Sequence, residues 1–378
     1  MLFAVLFGLL VLFDCQNVLA WRRKHVVELG AESTDDFTIV VPLYNDPRYF
    51  ENAAFLRPMR ERVILAVDVG APVMADWADT MERDGWRVHR VVLPDRRQNG
   101  PTPIVRVVLE SGAVRTRWVV RLDGDTYAGG DFGQAVAAAE RAGADFCSVK
   151  CLPSGRSNAL ERIQVLEYEM AMLNRHLRPW ASSGACIVAT EHAYRAILKL
   201  HTLTLGTCGE DMETGRIALH LRMRIRHLDF RVYTSVPGSV GAWWCQRRIW
   251  WAAIVQSSIV NADKTLVQLP LYWIYFALLA MVGAFAKWDA LAADWRLLPT
   301  ILLLYTGLIL VANWQVRSRW MIVYPYYAFA QATVMPLFGL QWYVANVSRR
   351  GISGRYRFGL LPGRYTPQAA ADAVVAGG

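Results

Sequence analysis

No CxxC pair occurs in this sequence. Its six cysteines, Cys15, Cys147, Cys151, Cys186, Cys208 and Cys245, are scattered, and the two nearest stand four positions apart. That spacing argues against a zinc ribbon or a disulfide framework, and the six read as reduced thiols. A basic cluster confined to one soluble module is missing too. The formal charge of +9 comes from arginines that border apolar segments, which speaks against nucleic acid as a partner. The opening stretch MLFAVLFGLLVLFDCQNVLA has no positive charge before it; Trp21-Arg22-Arg23-Lys24-His25 comes after. A cleaved leader carries its charge in front, so residues 1–21 are expected to be an uncleaved anchor whose chain continues into the cytoplasm.

Apolar and aromatic residues are plentiful: 54% of the chain is hydrophobic and 15 residues are Trp. Together with the positive charge, this suits a protein lying on anionic membrane lipids. Two uncharged runs, 267–286 and 297–316, have the length of about 20 residues that a span requires. Arg317 and Arg319 after the second run belong inside. A third uncharged run, 320–347, contains Pro325, Pro336 and Gly339. A full crossing there would put Arg349, Arg350, Arg355 and Arg357 outside, so a broken re-entrant or interfacial segment is preferred over a fourth span.

Between anchor and spans, β-branched runs at 37–42, 61–69, 86–93 and 118–122 predict strands, and 73–84, 103–111 and 132–142 predict helices. Strands and helices that alternate in this way indicate an α/β domain with a mostly parallel sheet. Ligands of such sheets sit beyond the carboxyl ends of the strands, so acids placed there matter. Asp68 closes ILAVD, Asp123-Gly124-Asp125 closes VVRLDGD, and Glu210-Asp211 ends the loop TCGED. Each has a bland reading. Asp68 and the Asp-Gly-Asp triplet suit turns, and Glu210-Asp211 suits the cap of a helix over 212–221. The sharper reading makes Asp123 and Asp125 hard oxygen ligands for a divalent cation shared with a diphosphate, with Gly124 admitting a ligand close to the backbone.

The order of these pieces resembles the family 2 glycosyltransferases, in particular the membrane-embedded branch of hyaluronan, chitin and cellulose synthases. Val41-Pro42-Leu43-Tyr44-Asn45-Asp46 looks like VPxYNE, Asp68 takes the place of a nucleotide-binding Asp, and Asp123-Gly124-Asp125 looks like DxD. Ser183-Gly184-Ala185 resembles the SGA turn, Gly209-Glu210-Asp211 the TED or GED, and Gln246-Arg247-Arg248-Ile249-Trp250 the QxxRW segment. Gly351-Ile352-Ser353-Gly354-Arg355 loosely resembles a gating loop of hyaluronan synthases. Departures stand beside the likeness. Ile249 occupies the place of the QxxRW arginine, DDGS is reduced to Asp68-Val69-Gly70, and Arg96 and Arg97 are the candidates for a missing phosphate-facing lysine.

The resemblance implies a GT-A-like, Rossmann-like cytosolic domain over 22–240, an interfacial segment over 241–266, transmembrane or re-entrant helices over 267–348 and a basic cytosolic tail over 349–378. It implies inverting, metal-dependent transfer from a nucleotide diphosphate sugar, a UDP-sugar first, to a growing polysaccharide with coupled translocation. The alternative is one sugar added to a lipid acceptor. Mn2+ or Mg2+ would sit on Asp125 and Asp123, and Asp211, beside Glu210, would be the general base. Pro42, Tyr44, Asp68, Asp123, Arg248 and Arg355 would bind the nucleotide, and Ser183, Gly184, Gln246 and Trp250 the acceptor. Few spans leave little room for a channel from one copy, which favours an oligomer or the lipid acceptor. A third class, a membrane scaffold or transporter with a decayed catalytic domain, is disfavoured because Asp14 is the sole charge within a predicted span.

Overall fold

The computed structural model describes residues 19–93, 100–201, 209–260 and 297–346, apart from 315 and 317. Most of the anchor, Arg96 and Arg97, Thr207-Cys208, the run 267–286 and the tail with Arg355 lie outside the described residues. The chain divides into two compact units. One consists of His25–Ser154 and Arg178–Ser235; the other holds the described residues up to Lys24, Gly155–Leu177 and the described residues from Val236 onward. The segment 155–177 thus groups with the C-terminal helices, not with the α/β unit to which the linear division 22–240 assigns it.

The α/β unit grows from strands that bury both faces. The strands are β1 (Val26–Val27), β2 (Phe37–Leu43), β3 (Val63–Asp68), β4 (Arg87–Val91), β5 (Trp118–Leu122), β6 (Thr126–Ala128), β7 (Phe146–Pro153), β8 (Cys186–Thr190) and β9 (Ile225–Thr234). Every residue of β2, β3 and β5 is buried. Such continuous apolar runs are the mark of central strands covered by helices on both sides. Among the described residues the sheet runs β1-β9-β7-β8-β5-β2-β3-β4, with β6 paired to β9. Pairings of β2 with β3 and β5, of β3 with β4, and of β9 with β1 and β7 are parallel. β8 runs antiparallel to both β5 and β7, and β6 to β9. The sheet is therefore mixed, though mostly parallel.

Helices α1 (Pro72–Arg83) and α2 (Pro101–Glu110) each begin with a proline, whose missing N–H costs nothing in the first turn. Helix α3 (Phe132–Arg141) is capped by Asp131, which accepts from the amides of Gly133 and Gln134. The α2 residues Ile104, Val105, Val108 and Leu109 pack with Val40, Ile64, Val119 and Ile187 of the strands into one core. Full burial of each such side chain contributes roughly 1.5–3 kcal/mol.

The second unit is helical. Helix α4 (Ala159–Arg175) opens on a reciprocal cap: Asn158 accepts from the Glu161 amide, and the Glu161 carboxylate accepts from the Ser157 amide. After α5 (Glu191–Leu200) and α6 (Glu210–His220) of the α/β unit come α7 (Val240–Val260), α8 (Leu297–Ala312) and α9 (Tyr324–Asn346). Glu167 of α4 accepts from Arg247 Nη2 at 2.6 Å, Tyr327 Oη at 2.7 Å and Gln331 Nε2 at 3.1 Å, and Trp243 Nε1 donates to Tyr327 Oη at 2.9 Å. One carboxylate thus ties three helices together.

Within the run 297–316 the structure describes helix over Leu297–Ala312. One expectation changes here. The run 320–347 is not broken in the middle. A 3-10 turn at Arg319–Ile322 leads into 23 residues of helix with Pro336 inside. Its tyrosines and glutamines lower its apolarity. Among the described residues no helix is long and apolar enough to cross a membrane. Leu303, Leu304, Leu308 and Val311 of α8, and Val334, Leu337, Leu340 and Val344 of α9, are nonetheless exposed. None of the four described cysteines, Cys147, Cys151, Cys186 and Cys245, is in a disulfide.

Candidate active site

Sheet direction decides which acids meet. Because β2, β3 and β5 are parallel, Tyr44, Asp68 and Asp123 follow them at a single edge. The reversed strand β8 starts at that edge, with Cys186 opposite Leu122. The turn before it, Ser183-Gly184-Ala185, therefore lies against Asp123, whose amide donates to Ala185 O at 3.0 Å. The same turn grips the start of α6. Gly184 N donates to Asp211 Oδ2 at 2.9 Å, and Ser182 Oγ donates to Asp211 O at 2.8 Å. Asp211 Oδ1 accepts from Met212 N at 2.8 Å. Asp123 and Asp211 are thus joined through two adjacent residues, Gly184 and Ala185.

The N-cap of α6 is Gly209, so Glu210 and Asp211 occupy the first turn rather than the cap. Mid-helix, Gly215 makes this docking possible. A β-carbon there would lie 1.7 Å from the carbonyl oxygen of Trp180. Any side chain would push α6 off the turn.

The Asp-Gly-Asp loop is clamped from below by a residue that the sequence did not announce. Fully buried Asn52 donates through Nδ2 to Asp123 O at 3.0 Å and to Thr126 O at 2.7 Å, and its amide donates to Gly124 O. Gly124 does not open the backbone toward a ligand as expected. A β-carbon there would lie 2.5 Å from Tyr49 O and 3.0 Å from Leu43 Cδ2, so the glycine admits a neighbouring loop. Asp125 Oδ1 accepts from Thr126 Oγ1 at 3.2 Å.

The edge is strongly acidic around a single guanidinium. Arg121 of β5 is fully buried, and its Nη2 donates to Asp123 Oδ1 at 3.1 Å and stands 3.5 Å from Glu210 Oε1. Burial pushes Asp123 up to about 6, with Arg121 opposing and Asp125 and Asp211 reinforcing. Burial also raises Asp125, assisted by Glu51, and Asp211, assisted by Glu210. Tyr44 is raised by burial and then by Glu210 and Asp123, which places its phenol among the same acids. Pro42 lies inside β2 opposite Ala66. Asp68 is buried, and its Oδ1 accepts from Gly70 N at 3.1 Å in the local turn that its bland reading supposed.

The QxxRW-like residues belong to α7 in the helical unit. Gln246 Oε1 accepts from Arg247 Nη1 at 3.1 Å. Arg247 is fully buried, committed to Glu167, and stacked 4.1 Å from the centre of the Trp250 ring. Its side chain is thus held by Glu167 within the helical unit. Arg248 is half-buried and its Nε has no partner among the described residues. Trp250 is 40% exposed, with Arg247 over its ring and Tyr168 at 6.1 Å.

Among the described residues no group of three or more His, Cys, Asp or Glu could hold a metal ion by itself. The donor set fits a cation shared with a ligand instead. Asp123 and Asp125 offer hard carboxylate oxygens one residue apart, and burial, with neighbouring acids reinforcing it, raises the affinity of both for a positive charge. A bound diphosphate would complete the coordination.

Comparison with known proteins agrees with this architecture. The family model of glycosyl transferase family group 2 matches residues 118–345, more than half of the chain, from the first residue of β5 to the last turn of α9. The matched part includes Asp123, Asp125, the Ser-Gly-Ala turn and Asp211, whereas Pro42, Tyr44 and Asp68 precede it. No curated protein matches the chain. A mannosyltransferase from Pyrobaculum calidifontis, solved with GDP-Man and Mn2+, superposes with a TM-score of 0.57 at 15% identity, over 92% of this chain and all of that one. At that identity the likeness is one of fold, and the fold is GT-A-like. A glucosyl-3-phosphoglycerate synthase from Mycobacterium tuberculosis reaches a TM-score of 0.36 at 17% identity, over 58% of this chain and 77% of that one.

Proposed function

The chain belongs to glycosyl transferase family group 2 and is a glycosyltransferase, and on that premise we propose that it moves a sugar, with inversion, from a nucleotide diphosphate sugar to an acceptor hydroxyl at a membrane face. One observation carries the reading: the turn Ser183-Gly184-Ala185 holds Asp123 by one backbone bond and Asp211 by another. A diphosphate-facing acid and a base are thereby fixed on opposite sides of a common turn.

Asp211 acts as general base. Two amides fix its carboxylate in place, and its affinity for protons is raised by burial and by Glu210, which makes it a better acceptor for the proton of an attacking hydroxyl. Direct attack needs no covalent intermediate, so the anomeric configuration inverts. Asp123 and Asp125 would hold Mn2+ or Mg2+, which when bound supplies positive charge to the departing diphosphate. Tyr44 and Asp68, at the ends of β2 and β3, would face the nucleoside, a UDP donor first. The solved neighbour's GDP-Man makes GDP-sugars a necessary arm of the test.

For the acceptor, a growing polysaccharide and a single lipid-linked hydroxyl both suit the chemistry. The exposed Leu and Val rows of α8 and α9 and the charge of +9 suit anionic membrane lipids, and they favour the lipid acceptor as second reading. Gln246, Arg248, Trp250 and Arg355 keep their proposed substrate-facing roles; they await the same test. Membranes containing the protein are supplied with labelled UDP- and GDP-sugars, with Mn2+ or Mg2+. Polymer, lipid-linked or free product names the acceptor, and no transfer from any donor would sink the reading.

A further inference from the structure

We propose that Arg121 is a positioning residue for sugar transfer, joining the acid that faces the cation to the turn that bears the base. This rests on the reading of the site given above. Arg121 interrupts the otherwise apolar strand WVVRL and is fully buried. Removing a guanidinium from water costs several kcal/mol unless partners meet its charge and its five N–H groups. Here they do so only in part. Nε and Nη1 make no well-aligned hydrogen bond among the described residues, although the Tyr194 phenol lies beside the guanidinium, and Nη2 reaches Asp123 Oδ1 and Glu210 Oε1. An arginine kept for stability would be expected to fill its fork.

The position of Nη2 explains its retention. Arg121 Nη2 meets Asp123 Oδ1 directly, at 3.1 Å, just past the end of β5. Asp123 begins the loop after β5, whereas Glu210 begins α6. A β-carbon on Gly184, whose amide holds Asp211, would lie 3.6 Å from that same nitrogen. One cation thus reaches the Asp-Gly-Asp loop and the first turn of α6 beside the Ser-Gly-Ala turn. It also occupies Asp123 Oδ1, which leaves Oδ2 to face a metal.

The test compares Arg121→Met and Arg121→Lys with the full-length wild type in lipid. In R121M, kcat should fall about 100-fold, the effect of a misplaced reacting group, while KM for the donor changes less than about threefold. R121K should recover about tenfold of that loss, because its ammonium restores charge but not the fork. Mn2+ titration by electron paramagnetic resonance needs no donor. R121M should bind Mn2+ about threefold tighter or more, since Oδ1 is released and a competing positive charge is gone. Unchanged Mn2+ affinity, a lysine variant as slow as the methionine one, or a kcat loss that merely follows the folded fraction would overturn the proposal. If R121M does not fold, R121K against wild type gives the same two readouts. A wild type that transfers no sugar defeats the functional reading, while the Mn2+ comparison still judges Arg121.

Discussion

Gly184 N donates to Asp211 Oδ2 at 2.9 Å, so a backbone amide in one turn orients the carboxylate of another. This bond aims Asp211 before any substrate arrives. Replacement by asparagine keeps the size and removes the basicity, at the cost of one of the two amide bonds, since its Nδ2 cannot accept. Asp211→Asn should lower kcat by about 10²–10⁴-fold, the range for loss of a general base, with donor binding retained in calorimetry. An active D211N would assign the base elsewhere.

Asp125 offers the second hard carboxylate of the cation site. A chelator should abolish transfer, and added Mn2+ should raise the melting temperature of the wild type by linkage to the folded state. Asp125→Asn should lose both effects. Thermal melts with and without metal decide the matter without any donor.

Gly215 lies where α6 meets Trp180 O. Gly215→Ala inserts a methyl group where 1.7 Å is available. Overpacking of this kind costs about 3 kcal/mol, and urea unfolding should show it. Activity should fall further than stability, because the same shift moves Asp211.

Asn52 holds the Asp-Gly-Asp loop by two side-chain bonds. Asn52→Ala leaves two buried carbonyls without donors, at about 1–3 kcal/mol. The kinetic signature is a weaker dependence on added Mn2+, seen as a rise in the metal concentration for half-maximal rate.

In the helical unit, Glu167→Ala strands the fully buried Arg247. Breaking one side of a buried pair costs about 3–5 kcal/mol. Circular dichroism melts of E167A should show it, and Glu167→Gln, which keeps two acceptable hydrogen bonds, should lose less.

Much of this was legible in the residues because it depends on local pattern. Apolar β-branched runs gave β2, β3 and β5, and acids after them marked the edge where the site lies. What pattern could not reveal depends on contacts between distant segments. The reversal of β8 brings Ser183-Gly184-Ala185 to Asp123, yet nothing in CIVAT specifies its direction. Asn52 carries no signal, since its partners lie more than 70 residues away. Arg121 and Gly215 did leave traces, a charge within WVVRL and a glycine within a helix. The pairing of Arg247 with Glu167 was hidden for the same reason as the contacts of Asn52, since the two lie 80 residues apart.

Among the described residues the chain passes between its two units after Lys24, Ser154, Leu177 and Ser235, not once. Shortening the protein after Ser235 would therefore not excise a self-sufficient catalytic half. It would leave α4 still spliced into the sheet-forming sequence, its Glu167 bereft of Arg247, Tyr327 and Gln331 together. Recombinant fragments designed by length alone would expose that acid and its apolar neighbours, and insolubility of such fragments would report a cut made across an interwoven chain.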